Sequence, residues 1–354
     1  MKHSICSRSI SAALVLTVSA LFSAEVIAQT TATTIPVGFI TKTVPAGAVG
    51  SPSSAIVSIP LYATAVFTSA ATAVNANAVT LASAAFTTLP NPQFAVPAVA
   101  PLQGIANPHL LRVKTGTGTG LFFAITGNTA NSVTVALPPS VATLVGVVSV
   151  NDSCEIVPAN TLGSVFGNAT TPPTLTGGAN LAAADNVYLF NGASWVAYYY
   201  SSASSYWKQS GNADRSNTVI FPDDLAFISR KDTSGPANIT LMGTVPSTLE
   251  QSELPTGSIA FANRFPVDMT LAGLGLQNLP GWVPGPNAAT ADNVYLFSGT
   301  AWVKYYFSNT VGSSWWKQSG NADRGTTPIS AGTGVFIVRS GALGLLSQAL
   351  PYTP

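Results

Sequence analysis

Charge is scarce in this sequence. Of 354 residues, 14 are Lys or Arg and 13 are Asp or Glu, which is 14 + 13 = 27 charged residues and a formal net charge of +1; soluble domains usually carry about a quarter. A nucleic-acid binder needs a basic stripe that releases counterions from phosphates, and there is none here. Histidine and cysteine are scarcer, at two each, and His3 and Cys6 fall at the start of the chain. The remaining single thiol, Cys154, makes no internal disulfide, and with His109 it cannot complete a usual four-ligand zinc site. Any Ser-His-Asp or Cys-His set would have to use His109. That residue enters an apolar strand in Asn107-Pro108-His109-Leu110 and reads as a histidine satisfied by backbone groups. Cys154 sits among Asp152 and Glu155, which raise a thiol pKa, so it reads as a buried structural residue. No catalytic set, metal or cofactor is expected.

Long apolar runs are also few. Lys2, His3 and Arg8 precede the apolar stretch Ile10 to Phe22, and Val26-Ile27-Ala28 follows, the pattern of an export signal cleaved after Ala28. Spanning a bilayer needs roughly 20 apolar residues, and this run is shorter, so no transmembrane segment is expected once the signal is removed. Cleavage takes away Lys2, Arg8 and Glu25, leaving 14 − 2 = 12 basic and 13 − 1 = 12 acidic residues, a formal charge of zero.

What is present is β-forming. Residues 29–151 hold only Lys42, Arg112 and Lys114 and no Asp or Glu, which excludes carboxylate chemistry there. Short runs such as Ala55-Ile56-Val57, Leu110-Leu111-Arg112-Val113 and Leu121-Phe122-Phe123-Ala124-Ile125 are separated by Pro, Gly, Asn and Thr clusters. Such runs read as strands of antiparallel β-sandwich or barrel domains, and no window carries a sustained, capped helical period. Gly116-Thr117-Gly118-Thr119-Gly120 lacks the following Lys-Ser or Lys-Thr of a phosphate loop and reads as a flexible hairpin tip. The acidic pairs Asp223-Asp224 and Asp152/Glu155 lack the alternating ligands of a calcium loop and read as solvated turns.

The C-terminal half contains a duplicated, aromatic-rich β-meander. Ala184-Asp185-Asn186-Val187-Tyr188-Leu189-Phe190 recurs unchanged at Ala291 to Phe297, and Trp207-Lys208-Gln209-Ser210-Gly211-Asn212-Ala213-Asp214-Arg215 recurs at Trp316 to Arg324. Each copy reads as strand, tight turn, strand, polar loop, strand, with Asn191-Gly192 and Ser298-Gly299 at the first turns. The expected organisation is a signal over 1–28, a charge-poor β domain over 29–160, a first aromatic repeat over 161–250 and a second over 251–354. An enzyme rarely needs its active site twice, whereas a folding unit needs each of its turns. The doubled Asp185/Asp292 and the turn residues Asn212, Asp214, Arg215, Asn321, Asp323 and Arg324 therefore read as structural, with Asp214 and Asn212 closing an Asx-type turn and Arg215 pairing locally or stacking on Trp207.

Strand alternation puts Trp195 and Tyr199 on one face, matched by Trp302 and Tyr306 in the second copy. Lys304 shares the latter face, which marks it as the outer one. These four rings are the candidate contacts, either with sugar faces or with another layer of the same protein or a second subunit. Pro36-Val37-Gly38-Phe39, Val44-Pro45-Ala46-Gly47, Thr161-Leu162-Gly163-Ser164-Val165-Phe166-Gly167 and Asn263 to Leu271 resemble an uncharacterised family of exported bacterial proteins over nearly all of the chain after the signal. The resemblance implies secretion and β structure and brings no activity or site residue. The expectation is a non-enzymatic structural or surface-associated protein of the cell envelope or matrix, able to assemble with itself or with cell-surface components. The alternative is a secreted glycan binder using the repeat aromatics. The expected location is outside the cell or on its surface, with the periplasm as the alternative compartment.

Overall fold

Short apolar runs bounded by turn formers become twenty-four strands among the described residues of the computed structural model, which are 36–48, 50–82, 108–231, 235–310 and 315–353. The expected signal over 1–28 and the residues up to Ile35 lie outside the described residues. Among the described residues helix is confined to one capped turn and a short 3-10 turn, and all registered strand pairs are antiparallel, so the all-β reading holds.

The first aromatic repeat is larger than its sequence blocks. Strands β1 (Val37–Val44) and β2 (Ser53–Ser58) begin it. Six strands follow that belong elsewhere, and the repeat resumes with β9 (Asn160–Thr161), α1 (Leu162–Phe166), β10 (Asn186–Phe190), β11 (Trp195–Ser201), β12 (Tyr206–Lys208), β13 (Val219–Ile220), β14 (Leu225–Arg230) and β15 (Ala237–Thr244). One sheet runs β12-β11-β10-β14-β2, a ribbon pairs β1 with β15, and β9 pairs with β13. The boundary expected at 160 therefore cuts through a unit, because β1 and β2 find their partners about 170 to 200 residues away, which a local reading of strands cannot see.

The second repeat restates this plan without interruption. It contains β16 (Glu250–Leu254), β17 (Gly257–Ala262), β18 (Met269–Thr270), β19 (Asn293–Phe297), β20 (Trp302–Phe307), β21 (Trp316–Lys317), β22 (Pro328–Ile329), β23 (Gly334–Arg339) and β24 (Gly344–Gln348). The sheet β17-β23-β19-β20-β21 answers the first five-stranded sheet, and β16-β24 and β18-β22 answer the two smaller ones. The correspondence reaches beyond the identical blocks. Thr161 caps α1 by accepting from Ser164 N at 3.1 Å, and Thr270 accepts from Gly273 N at 3.0 Å. Gly163 N donates to Ser216 O at 2.8 Å, and Ala272 N donates to Gly325 O at 2.9 Å.

Between β2 and β9 a closed six-stranded barrel is inserted, in the order β3 (Phe67–Val74), β4 (Ala78–Leu81), β7 (Ser132–Val135), β6 (Phe122–Asn128), β5 (His109–Val113), β8 (Ser153–Pro158). Closure removes the free edges that its few charges could not protect. Its interior is filled by Val79, Leu111, Phe123, Ile125, Val133, Cys154 and Ile156, while each repeat has its own core around Trp207 or Trp316.

Both of these tryptophans are fully buried in equivalent places, each at 5.6–6.0 Å from flanking rings. Trp207→Ala and Trp316→Ala should each cost about 3–5 kcal/mol in denaturant unfolding; a loss below about 0.5 kcal/mol would place the ring at the surface.

Candidate functional site

Two of the four candidate rings, Trp195 and Trp302, lie at the junction of the two repeats. Trp195 packs on Phe190 of its own hairpin at 5.3 Å, and Trp302 on Phe297 at 5.2 Å. Contacts across the junction come in reciprocal pairs, as an approximate two-fold relation requires. Phe190 meets Phe336 at 5.3 Å and Phe297 meets Phe227 at 5.4 Å; Trp195 meets Phe336 at 5.9 Å and Trp302 meets Phe227 at 6.5 Å. Backbone bonds follow the same rule, Ser58 N to Gly332 O and Ala262 N to Asp223 O, both 3.0 Å. Trp302 keeps 36% of its surface, but Tyr199 and Tyr306 keep only 8% and 9%. The outer-face expectation is thus corrected for the two tyrosines. The face that begins at the exposed hairpin end with Trp302 and Lys304 has become buried by Tyr306, so one exposed Lys does not describe the whole strand.

The repeated polar residues hold the fold locally. Asp214 Oδ1 accepts from Ser216 N and Asp323 Oδ1 from Gly325 N, both at 2.8 Å, which closes the expected turns. Asn212 and Asn321 accept from Lys208 and Lys317 at 3.4 and 3.3 Å. Arg215 and Arg324 contribute backbone N–H groups, to Trp207 O at 2.7 Å and Trp316 O at 2.8 Å. The cations that lie over rings here are Lys208 on Tyr206 and Lys317 on Trp315, at 5.2 and 5.9 Å. Asp185 and Asp292 are buried, each 3.6 Å from Nε of Arg230 or Arg339. Each also accepts two backbone N–H groups, from Thr176 and Lys231 in the first copy and from Val283 and Ser340 in the second.

A second charged centre has no counterpart in the repeat pattern. Glu250, fully buried at the start of β16, bridges two arginines. Arg112 on β5 reaches its Oε1 at 2.9 Å, and Arg264, just after β17, bonds its Oε2. Arg112 also meets Glu155 Oε2 at 3.2 Å, whose other oxygen pairs with Lys114 at 3.1 Å. Glu155 is therefore buried in an ion network on β8 and does not belong to a solvated turn. Phe122 lies between the guanidiniums, 5.6 Å from that of Arg112 and 5.4 Å from that of Arg264. Burial pushes both arginines down, and the neighbouring groups together, the Glu250 carboxylate first among them, more than offset this and hold them above their usual value.

The Gly116–Gly120 run makes this centre possible. Gly118 donates to Val147 O at 2.9 Å, and a Cβ on Gly120, whose φ is +86°, would stand 2.4 Å from Leu249 O. Glycine lets β16 approach the barrel closely enough to seat Glu250, so the run is a docking surface and not a free tip.

His109 is buried at the start of β5 opposite Pro158. Cys154 is buried in the barrel core, and burial together with Asp152 and Glu155 pushes its thiol up to about 12, which keeps it inert as a nucleophile. Among the described residues no group of His, Cys, Asp and Glu is placed to hold a metal ion.

Beside the charged centre is a cavity of about 400 Å³ between β6, β16 and the turn before β14. Phe123, Ala136, Leu137 and Phe221 form its apolar wall, and Asp223, Asp224 and Glu253 its acidic side. Asp224 accepts from Phe221 N at 2.8 Å, so the turn reading holds, but both aspartates are half-buried. Burial, then Asp223, pushes the Asp224 carboxyl up to about 7 against the Phe221 N–H. The sequence reading missed this cavity and the Arg112–Glu250–Arg264 bridge, because their members come from distant segments, Arg112 and Arg264 being 264 − 112 = 152 residues apart.

Two predictions follow from these charges. Glu250→Ala leaves two buried guanidiniums without their shared carboxylate and should cost about 3–5 kcal/mol, whereas Lys114→Ala, at a partly exposed pair, should cost under about 1 kcal/mol; equal losses in denaturant unfolding would refute this ranking. A carboxyl raised on folding from 3.8 to about 7 contributes stability that is full below pH 3.8 and disappears as pH rises through 7. Stability measured from pH 4 to 8 should therefore contain a falling component that Asp224→Asn removes.

No protein-family model, curated protein or solved structure matches this chain.

Proposed function

We propose that this is a non-enzymatic, exported structural or surface-associated protein of the bacterial envelope or matrix, one of the exported family that its motifs resemble, and that it assembles with copies of itself. The observation that carries the reading is the outer face of the β1–β15 ribbon. Val37, Phe39 and Met242 are 75%, 74% and 77% exposed, and the register sets Phe39 directly opposite Met242. Thr41 lies opposite Thr240 and Thr43 opposite Asn238, which continue the same solvent-facing surface without a charge. Strand β1 has β15 as its one partner among the described residues, so its other edge offers unpaired backbone groups. An uncharged face beside an open edge suits pairing with another strand of the same kind, which gives a self-complementary contact. The zero formal charge expected after signal removal leaves no long-range repulsion to oppose it.

The glycan reading has less support from the same geometry, since Trp195, Tyr199, Trp302 and Tyr306 are engaged at the junction of the repeats or buried. Among the described residues no helix is long and apolar enough to cross a membrane.

Light scattering of the full chain over a wide concentration range should show association. Phe39→Ser combined with Met242→Ser should shift it to higher concentration by about tenfold or more, the effect of 1.4 kcal/mol per contact. A compact monomer at all concentrations, together with absence from the washed cell-surface fraction, would overturn the proposal.

A further inference from the structure

The two repeats differ most informatively where the same turn carries different side chains. In the first copy the turn before β14 reads Phe221-Pro222-Asp223-Asp224, and in the second the turn before β23 reads Ser330-Ala331-Gly332-Thr333. Both turns close with the same hydrogen bonds, although Gly332 has a φ of +69° and Asp223 keeps a negative one. Asp224 N donates to Phe221 O at 3.0 Å and Thr333 N to Ser330 O at 3.1 Å, and the carbonyls of Asp223 and Gly332 make the reciprocal 3.0 Å bonds across the junction. The turn therefore does not require two carboxylates. They occur only in the copy whose turn faces the barrel, and they line the 400 Å³ cavity there.

Three further features describe what would fill that cavity. The Asp223 carboxylate makes no direct hydrogen bond or salt bridge among the described residues but lies in the field of Arg264, and Glu253 is held in place by Ser140 Oγ, which donates to its Oε2 at 2.7 Å. Gln251 Oε1 is a buried acceptor without a hydrogen-bond partner. Arg264, whose side chain is 1% exposed, lines the same cavity and has Nε as a buried donor without a partner. Buried polar atoms without partners cost about 1–3 kcal/mol each, and a ligand that supplies the missing partners recovers that cost. Opposite them the wall is aromatic and aliphatic.

We propose that this cavity is a binding site for a small primary amine carrying an apolar body and one hydrogen-bond acceptor. The ammonium sits against Asp223, Asp224 and Glu253 with Gln251 Oε1 as an additional acceptor, the body lies on Phe123, Leu137 and Phe221, and the acceptor takes the N–H of Arg264. A cavity of this size with apolar walls and a few convergent polar groups matches sites for small molecules. An anion is disfavoured, because Arg264 is already engaged by Glu250 and the remaining titratable groups, Asp223, Asp224 and Glu253, are all acids. The raised Asp224 carboxyl is consistent with a group that ionises when a cation arrives. This inference does not depend on assembly through the ribbon.

The test is calorimetric titration of the full-length mature protein with tyramine, phenethylamine and 4-hydroxyphenylacetate. Tyramine should bind, phenethylamine more weakly for lack of the acceptor, and 4-hydroxyphenylacetate, with the same body and the opposite charge, about tenfold more weakly or not at all. Asp223→Gly with Asp224→Thr installs the pair found at the second copy's turn, and glycine adopts the φ of either turn without strain; the variant should weaken tyramine by about tenfold or more. Ala136→Phe, which fills the cavity, should abolish binding while thermal unfolding shows a folded protein. Absence of tyramine binding, equal binding of the anion, or binding unaffected by either variant would overturn the proposal.

Discussion

A carboxylate with no solvent exposure is tolerable only when cations and hydrogen bonds replace its water, and the placing of Glu250 sets the arrangement of the molecule. Its two guanidiniums come from different bodies, Arg112 from the barrel and Arg264 from the second repeat. Neither body can move away without uncovering charge in an apolar surround. Such a centre adds little net stability, since removing three charges from water costs about what their attraction returns. What it fixes is position. Arg112 also bonds Thr248 Oγ1 at 3.0 Å, and its guanidinium lies 4.9 Å from the ring of Tyr62, so the segment after β2 is tied to the same point. The Asp185–Arg230 and Asp292–Arg339 pairs do the same work locally, each joining the start of one central strand to the end of its neighbour.

What the sequence made legible follows the range of the interactions. The nine-residue blocks at Trp207 and Trp316 could be read because each closes on itself, with Asp, Asn and backbone partners within about ten residues. The tight turn Asn191-Gly192 was readable for the same reason, and Gly192 has the positive φ it was expected to need. Strand β2 was not recognised as part of a repeat. Its Ser-Ser-Ala-Ile-Val-Ser and the Gly-Ser-Ile-Ala-Phe-Ala of β17 share only small and apolar character, and their equivalence lies in pairing with β14 and β23. The burial of Tyr199 and Tyr306 was likewise outside local reading, because alternation assigns faces but not the depth to which each end of a strand is covered.

The approximate two-fold relation of the repeats also explains where the barrel sits. The crossing brings the end of β2 against the end of β17, with Ser58 Oγ donating to Asn263 O at 3.1 Å. A chain leaving β2 must therefore pass the connection that follows β17. In the second copy that connection is short, Asn263 to Asp268, and is stiffened by Asn263, whose amide donates to Val267 O at 2.9 Å while its oxygen accepts from Phe265 N at 3.1 Å. In the first copy the same position holds the barrel. An insertion in one member of a symmetric pair is thereby forced onto the uninserted connection of the other, and Arg264 is the residue of that connection that meets it. The asymmetry of the molecule then has one origin. The barrel supplies the apolar wall that only the first copy's turn can face, Arg264 and the start of β16 supply the floor, and the side chains that distinguish Asp223-Asp224 from Gly332-Thr333 are placed where those surfaces converge. Sequence that the two copies share describes how each repeat folds, and sequence that they do not share marks the surface created by joining them.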